Sequence, residues 1–240
     1  MNGSTGENKL KAGPGDRAHT AAKALISAVP YVGGPAAEIF EAVIVPPLVK
    51  RRDAWIESIA EDLTRLESRV EGFKIDELAE NESFVSTAMH ATHVALRSHQ
   101  EEKLKALRSA VVNSALPDAP EEDLQMMFLG FVDTMTPWHL RMLKFWDDPQ
   151  GWAKEHQIPF PSWSSGSRIA VLEHALPELR ERRDFMLQLV RDLYTRGLLV
   201  TDSLDGTVTG SGMVAPLTTA FGKQFIEFIT FGIDEDDSEG

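Results

Sequence analysis

Cysteine is absent from all 240 residues. That absence removes disulfide staples, thiolate metal sites and cysteine nucleophiles together, and it fits a reducing compartment. The chain must therefore be held by burial, and its length suffices for one large domain or two smaller ones. Positive charge is scarce as well: 24 Lys and Arg stand against 37 Asp and Glu, a formal charge of −13 at pH 7. The summed field repels polyanions, so nucleic acid and anionic lipid can be held only where cations cluster locally.

An unbroken apolar run of membrane-spanning length is missing too. The most apolar stretch, ALISAVPYVGGPAAEIFEAVIVPPLVKRR (24–52), is interrupted by Pro30, by Gly33 and Gly34, and by Pro46 and Pro47, and it carries Glu38 and Glu41. An arm of roughly ten residues rises about 15 Å, half of a bilayer core. A charge at the centre of a span costs about 2.5–3.5 kcal/mol. The spacing predicts a helical hairpin whose first arm ends before Pro30 and whose second runs from Pro35 to the Pro46–Pro47 pair, buried against the helix that follows. Contact with a membrane surface, with Lys50, Arg51 and Arg52 at anionic headgroups, is the competing reading. The polar opening MNGSTGENKLKAGPGDRAHT lacks the basic-then-apolar order of a secretory signal.

What the sequence has in abundance is helical periodicity. Ile56, Ile59, Leu63, Leu66, Val70 and Phe73 recur in steps of three and four, a seam of nearly three heptads. It suits either a bundle helix or a coiled-coil dimer. Asp76 can cap a further stretch to about Leu116, interrupted near Asn81 and Glu82, and PDAPEED leads into the helix LQMMFLGFVDTM. After that the pattern changes. TPWHLRMLKFW begins with a Thr cap and a first-turn proline, and DDPQGWAKEHQIPFPSWSSG reads as a loop. The helices SRIAVLEHAL and RRDFMLQLVRDLYTRG follow, the latter stopped by Gly197. LLVTDSL and GMVAPLT read as a β-hairpin around DGTVTGSG, before the last helix TAFGKQFIEFI. The predicted fold is mainly α, a helical bundle with a C-terminal winged-helix-like α+β module. Its parts are a leader (1–16), a helical body with the apolar hairpin and heptad helix (17–135), the module (136–230) and an acidic tail (231–240).

No reaction is named by these residues. His90 and His93, three apart on a helix, can converge on one ion with His99, Glu101 or Glu102, yet they match no metal motif and also suit an exposed helix face. His139 reads as a packing residue beside Trp138 rather than a general base. SWSSGS lacks the setting of a nucleophile elbow, and YVGGPA and GTVTGSG lack the Lys-Ser/Thr sequel of a phosphate loop. No catalytic, cofactor-binding or metal residue is assigned. For DNA, the third helix of the module offers Arg182, Arg183, Gln188, Arg191 and Arg196, diluted by Asp184 and Asp192. The wing TDSLDGTVTGSG carries two Asp and no cation, so nucleic acid is not the expected partner.

The segments ALISAVPYVGGPAAEIF, HQEEKLKALRSAVVNSALP, MTPWHLRMLKFW and TTAFGKQFIEFI resemble a family of uncharacterised bacterial proteins along most of the chain. The closing segment is also similar to the T-x-x-G-x-x-F ending of Abi-alpha proteins of phage abortive infection. Neither resemblance brings functional residues. With no catalytic constellation the expected function is that of a non-enzymatic interaction protein; the resemblances imply a bacterial cytoplasm and a defence or regulatory role, and the apolar character of residues 24–49 suits conditional contact with the inner-membrane surface. Its expected partners are another protein, and a second copy through the heptad helix. A winged-helix transcriptional regulator working through Gln188 and Arg191 is the alternative.

Overall fold

The computed structural model describes residues 35–231. The leader, the first arm of the apolar hairpin and the acidic tail beyond Phe231 lie outside the described residues. The chain divides after Glu57 into two compact units. The described residues are mainly helical, with one two-stranded sheet.

The first described helix, α1 (Pro35–Arg69), is continuous through Pro46 and Pro47, where the sequence predicts a stop. Proline has a helical φ of its own; what it withholds is the N–H to the carbonyl four residues back, here those of Ala42 and Val43. The helix runs on with those two bonds unmade. The second arm of the expected hairpin is therefore not a separate element. Glu38 and Glu41 fall on the part of α1 whose side chains are outside the described set.

The expected burial of that hairpin against the heptad seam falls on residues outside the described set; within the described residues the seam is packed by later segments of the chain. Leu63 and Leu66 are buried in a cluster with Leu78, Val112 and Ala115, flanked by Ile59, Val70, Phe73, Phe84, Leu116 and Phe231. The seam becomes intramolecular core because the chain turns back after α1 at Gly72, whose φ of +82° is a left-handed stop. Only its N-terminal member departs, Ile56 being 53% exposed. Within the same unit Asp62 is buried and clamped by Arg65 Nη2 at 2.6 Å and Arg108 Nε at 2.7 Å.

A 3-10 turn (Ile75–Glu80) leads to α2 (Glu82–Arg97), capped by Asn81, whose side chain accepts from the Phe84 amide at 3.1 Å. The interruption expected near Asn81 is thus a cap. A second break was not expected: the Ser98 hydroxyl accepts from the Gln100 amide at 3.2 Å, a local bond that competes with the helical ladder and separates α3 (Glu101–Ser114) from α2. α2, α3 and α4 (Glu122–Thr134) pack together. Buried Thr87 on α2 donates to Gln125 Oε1 on α4 at 2.6 Å.

α5 (Pro137–Asp147) starts as the sequence predicts, with Thr136 as its cap and a first-turn proline. The following stretch, expected to be a loop, opens instead with α6 (Pro149–Glu155). Asp148 and Pro149 are the reason: the Asp148 carboxylate accepts from the Gly151 amide at 2.9 Å, and proline at the first helical position needs no donor. α7 (Arg168–Ala175) and α8 (Arg183–Thr195) follow, and α8 is closed by Gly197 at φ +75°.

The predicted hairpin is reduced to one bridge, Leu199 with Thr218, and the Val200 amide donates to the Leu217 carbonyl at 2.8 Å. The sheet lies elsewhere: β1 (Ser165–Gly166) pairs antiparallel with β2 (Val208–Thr209). A regular hairpin would turn alternate residues to water, yet Leu198 and Leu199 are both buried, as are Leu204, Met213 and Leu217. Met213 reaches its place through a single helical turn, α9 (Gly210–Met213). The last helix, α10 (Ala220–Phe228), packs on α3, α4 and α5.

Each residue of the closing T-x-x-G-x-x-F pattern has a packing task. Thr219 Oγ1 accepts from the Gly222 amide at 2.9 Å and donates to the Gly197 carbonyl at 2.6 Å, capping α10 and tying it to the stop of α8. A Cβ on Gly222 would lie 2.4 Å from the Leu198 carbonyl oxygen, so the two backbones approach only without a side chain. Phe225 is fully buried between Phe128 and Phe131 of α4.

Candidate functional site

A groove of about 660 Å³ opens between the end of α6, the segment Ile158–Trp163 and the start of α9. Its geometry begins at Gln157, the one non-glycine residue with positive φ (57°) among the described residues. The Gln157 amide donates to the Lys154 carbonyl at 3.2 Å and the Ile158 amide to the Ala153 carbonyl at 2.8 Å. This is the hydrogen-bond pair of a Schellman stop, held here by glutamine where glycine is the easy choice. The chain then runs through Pro159 and Pro161, whose fixed φ suits an extended path.

Aromatic packing sets that path in place. Phe160 lies 5.5 Å from Trp163 and 6.0 Å from His174, and Trp163 meets His174 edge-on at 5.8 Å. His174 Nε2 makes a hydrogen bond to the Pro159 carbonyl at 3.0 Å, which fixes the protonated nitrogen on that side. The far wall needs a glycine: a Cβ on Gly210 would stand 1.9 Å from the Trp163 carbonyl oxygen, and the Gly210 amide donates to the Ser164 carbonyl at 2.8 Å.

The groove offers aromatic and proline surface edged by Gln150, Lys154, Gln157, Ser162 and Ser211. Among the described residues, neither a carboxylate nor an imidazole lines it. That chemistry can seat an apolar or extended segment and hydrogen-bond its flanks, but it provides no base for the two hydroxyls; Ser211 Oγ is paired with Thr209 Oγ1 at 3.2 Å.

A second polar arrangement, Thr136, His139 and Asp192, has the outline of a hydroxyl–imidazole–carboxylate relay. Thr136 Oγ1 is 2.9 Å from His139 Nδ1, and His139 Nε2 is 3.3 Å from Asp192 Oδ2. The Thr136 backbone N–H also donates to Nδ1, at 3.0 Å. Nδ1 is therefore an acceptor, the proton sits on Nε2 facing Asp192, and the lone pair a base would use is spent on capping α5. Asp192 is in turn held by Gln188 Nε2 at 2.7 Å. His139 thus caps α5 and ties it to α8 through Asp192.

Burial disfavours the charged imidazole and lowers the His139 pKa from its ordinary 6.5; Arg196 acts in the same direction, and the hydrogen bond and charge of Asp192 oppose them. The sign of the consequence follows. The unfolded chain takes up this proton at higher pH than the native state does. The neutral-His139 contribution is thus complete above the ordinary imidazole range and is lost as pH falls through the lowered native value. We expect the urea midpoint to drop between about pH 7 and pH 5 and this drop to be smaller in His139→Gln. Proton NMR should show the His139 ring titrating below the ordinary imidazole value.

The other residues singled out in the sequence stand apart. His90, His93 and His99 are exposed, and among the described residues no three His, Cys, Asp or Glu are placed to hold a metal. On α8, Arg183 pairs with Asp205 at 2.5 Å and Arg182 lies over the Phe185 ring at 4.1 Å. Arg196 donates to Thr134 Oγ1 at 3.1 Å while resting on Phe131. Arg191 is exposed. Buried Lys103, whose pKa desolvation lowers, donates to the Asp133 carbonyl at 2.8 Å and so closes the end of α4. No described helix is long and apolar enough to cross a membrane.

IPFPSW is irregular in the structure, as the sequence predicts, and a loop by itself does not announce a groove. The signal was there in the alternation of two prolines with two aromatics, a pattern that stiffens a path while presenting rings.

Fold and site together define a mainly helical protein with an aromatic groove and no assembled catalytic constellation among the described residues. Comparison with protein-family models, with curated proteins and with solved structures finds no match.

Proposed function

We propose that this is a non-enzymatic interaction protein of a bacterial cytoplasm, serving a defence or regulatory role through protein contact. One observation carries the reading: its large groove is built from Phe160, Trp163, Pro159 and Pro161, with amides, hydroxyls and one lysine at its edge and no group poised for chemistry. The occupant that fits is an extended peptide segment with apolar side chains, its backbone met by Gln150 and Gln157.

The C-terminal residues act as a winged-helix-like module in this proposal. The order α5, β1, α7, α8 and the Leu199–Thr218 bridge support that reading. Use of the module on DNA has less support, because Arg182, Arg183, Gln188 and Arg196 are already engaged within the chain and Asp205 of the wing holds one of them. The defence role rests on the likeness to Abi-alpha endings, whose three residues here serve the α8–α10 joint. Contact of residues 24–49 with the inner-membrane surface belongs to the same proposal and rests on their apolar character and on Lys50, Arg51 and Arg52.

Affinity capture from the native host tests the groove. Trp163→Ala and, separately, Lys154→Glu should retain native circular dichroism and lose the partner held by the wild type. An aromatic anchor at the centre of an interface is worth about 2 kcal/mol or more, roughly a factor of 30 in affinity. Recovery of the same partner at the same yield by both variants would refute the groove as the contact.

A further inference from the structure

A second cavity, about 370 Å³, lies on another face, between α3, α5 and the residues that leave α10. Its walls carry Lys105, Arg141 and Lys144 against Glu102 and Glu155, with Ile229, Thr230 and Phe231 forming one side. Arg141 is already paired with Glu102, whose carboxyl that guanidinium holds below its ordinary range. Lys105 is exposed and makes no ion pair among the described residues. Lys144 also has a partner of its own, and by formal charge the ionisable side chains of the lining come to +1, three cations against two carboxylates, on a chain of net −13.

The exit of the chain from this pocket is fixed. Asn113 on α3 directs its side-chain amide at the carbonyls of Glu227, Phe228 and Thr230, at 3.0, 2.9 and 3.1 Å. Phe231 packs against the cluster around Leu63 and Leu66. Three residues further on the sequence reads DEDDSE, Asp234 to Glu239, with five carboxylates. Only two residues separate Asp234 from Phe231, which itself lines the pocket, so the tether from the pocket wall to the acidic run is short.

From this we infer that the pocket lined by Lys105, Arg141 and Lys144 is a binding site for acidic peptide, and that its resident occupant is the chain's own Asp234–Glu239. The rest of the surface, acidic on balance, repels the run, whereas this pocket attracts it. A tether of a few residues supplies an effective concentration in the millimolar range, enough to fill a weak site. An acidic segment of another protein must then displace the tail, which makes the tail a built-in competitor. This site is separate from the aromatic groove and does not depend on it.

Zero-length carbodiimide coupling of the full-length protein, read by mass spectrometry, tests contact directly, because it joins only carboxylates and amines that touch. At low salt the tail should couple chiefly to Lys105 and Lys144; the coupling should fade at high salt and disappear in Lys105→Glu/Lys144→Glu. Coupling spread over the lysines without preference, or none to these two, would overturn the proposal. In a second measurement the peptide GIDEDDSEG, added in trans, should bind at least tenfold more tightly to a variant with the five tail carboxylates changed to amides than to the wild type. Equal binding to both, or none to the variant, would likewise overturn it. Loss of partner capture by the groove variants bears on neither result.

Discussion

Replacing Phe128 by alanine is expected to remove about 3–5 kcal/mol of stability. The side chain is fully buried, and its ring lies 5.2 to 6.3 Å from those of Phe131, Phe221, Phe225 and Phe228. These rings join α4 to α10, so truncation leaves a cavity at that junction and also removes tilted aromatic contacts, each worth about 0.5–1.5 kcal/mol beyond burial. A domain has only about 5–15 kcal/mol in total, so the loss takes a large share of it. Urea unfolding followed by circular dichroism should show a lower midpoint with an unchanged slope. Phe128→Leu, which keeps most of the volume, should cost less than about half as much. A Phe128→Ala protein within about 1 kcal/mol of the wild type would mean that the ring cluster does not hold α10 in place.

The second large effect is expected of Asn113→Asp, a substitution that hardly alters shape. The amide meets three carbonyls at and just beyond the end of α10, those of Glu227, Phe228 and Thr230, of which Glu227 also accepts from the Thr230 amide at 3.4 Å. A carboxylate at the same place supplies no hydrogen and sets negative charge against the negative end of the helix dipole. The loss should be about 2–4 kcal/mol, whereas Asn113→Ala, which removes the donor without adding charge, should cost about 1–2 kcal/mol. The pH dependence separates the two. The native environment raises the pKa of the new carboxyl above its unfolded value, so the Asp variant should regain stability relative to the Ala variant as pH falls through that raised value. Equal losses in the two variants at every pH would show that the carbonyls find water instead.

Much of the helical plan was legible because it is local. The Thr136–Pro137 start of α5 and the stop at Gly197 depend on a few consecutive residues whose backbone preferences decide the outcome, whereas Asp76, expected as a cap, lies inside the 3-10 turn and Asn81 caps the helix instead. Where expectation failed, a local signal was outweighed or misplaced. Pro46 and Pro47 read as an end, yet α1 continues through them, since proline costs a helix bonds without preventing it. Asp148 and Pro149 fall in a stretch that reads as a loop, yet they are helix-start signals. The strand pattern of LLVTDSL yielded to the burial of adjacent Leu198 and Leu199, which a half-exposed hairpin cannot satisfy.

The sequence by itself determined the absence of thiol chemistry, the acidic balance and the helical periods. Those follow from composition and from spacings within one or two turns. Only the tertiary structure decided what covers the heptad seam, which nitrogen of His139 holds its proton, that Asn113 closes α10 across 114 residues of chain to Glu227, and that IPFPSW lines a groove with Gly210. The physical reason is common to all of them: each depends on atoms brought together from distant segments, where burial fixes which hydrogen bonds and contacts can be made, and no short-range pattern records which distant partner will arrive.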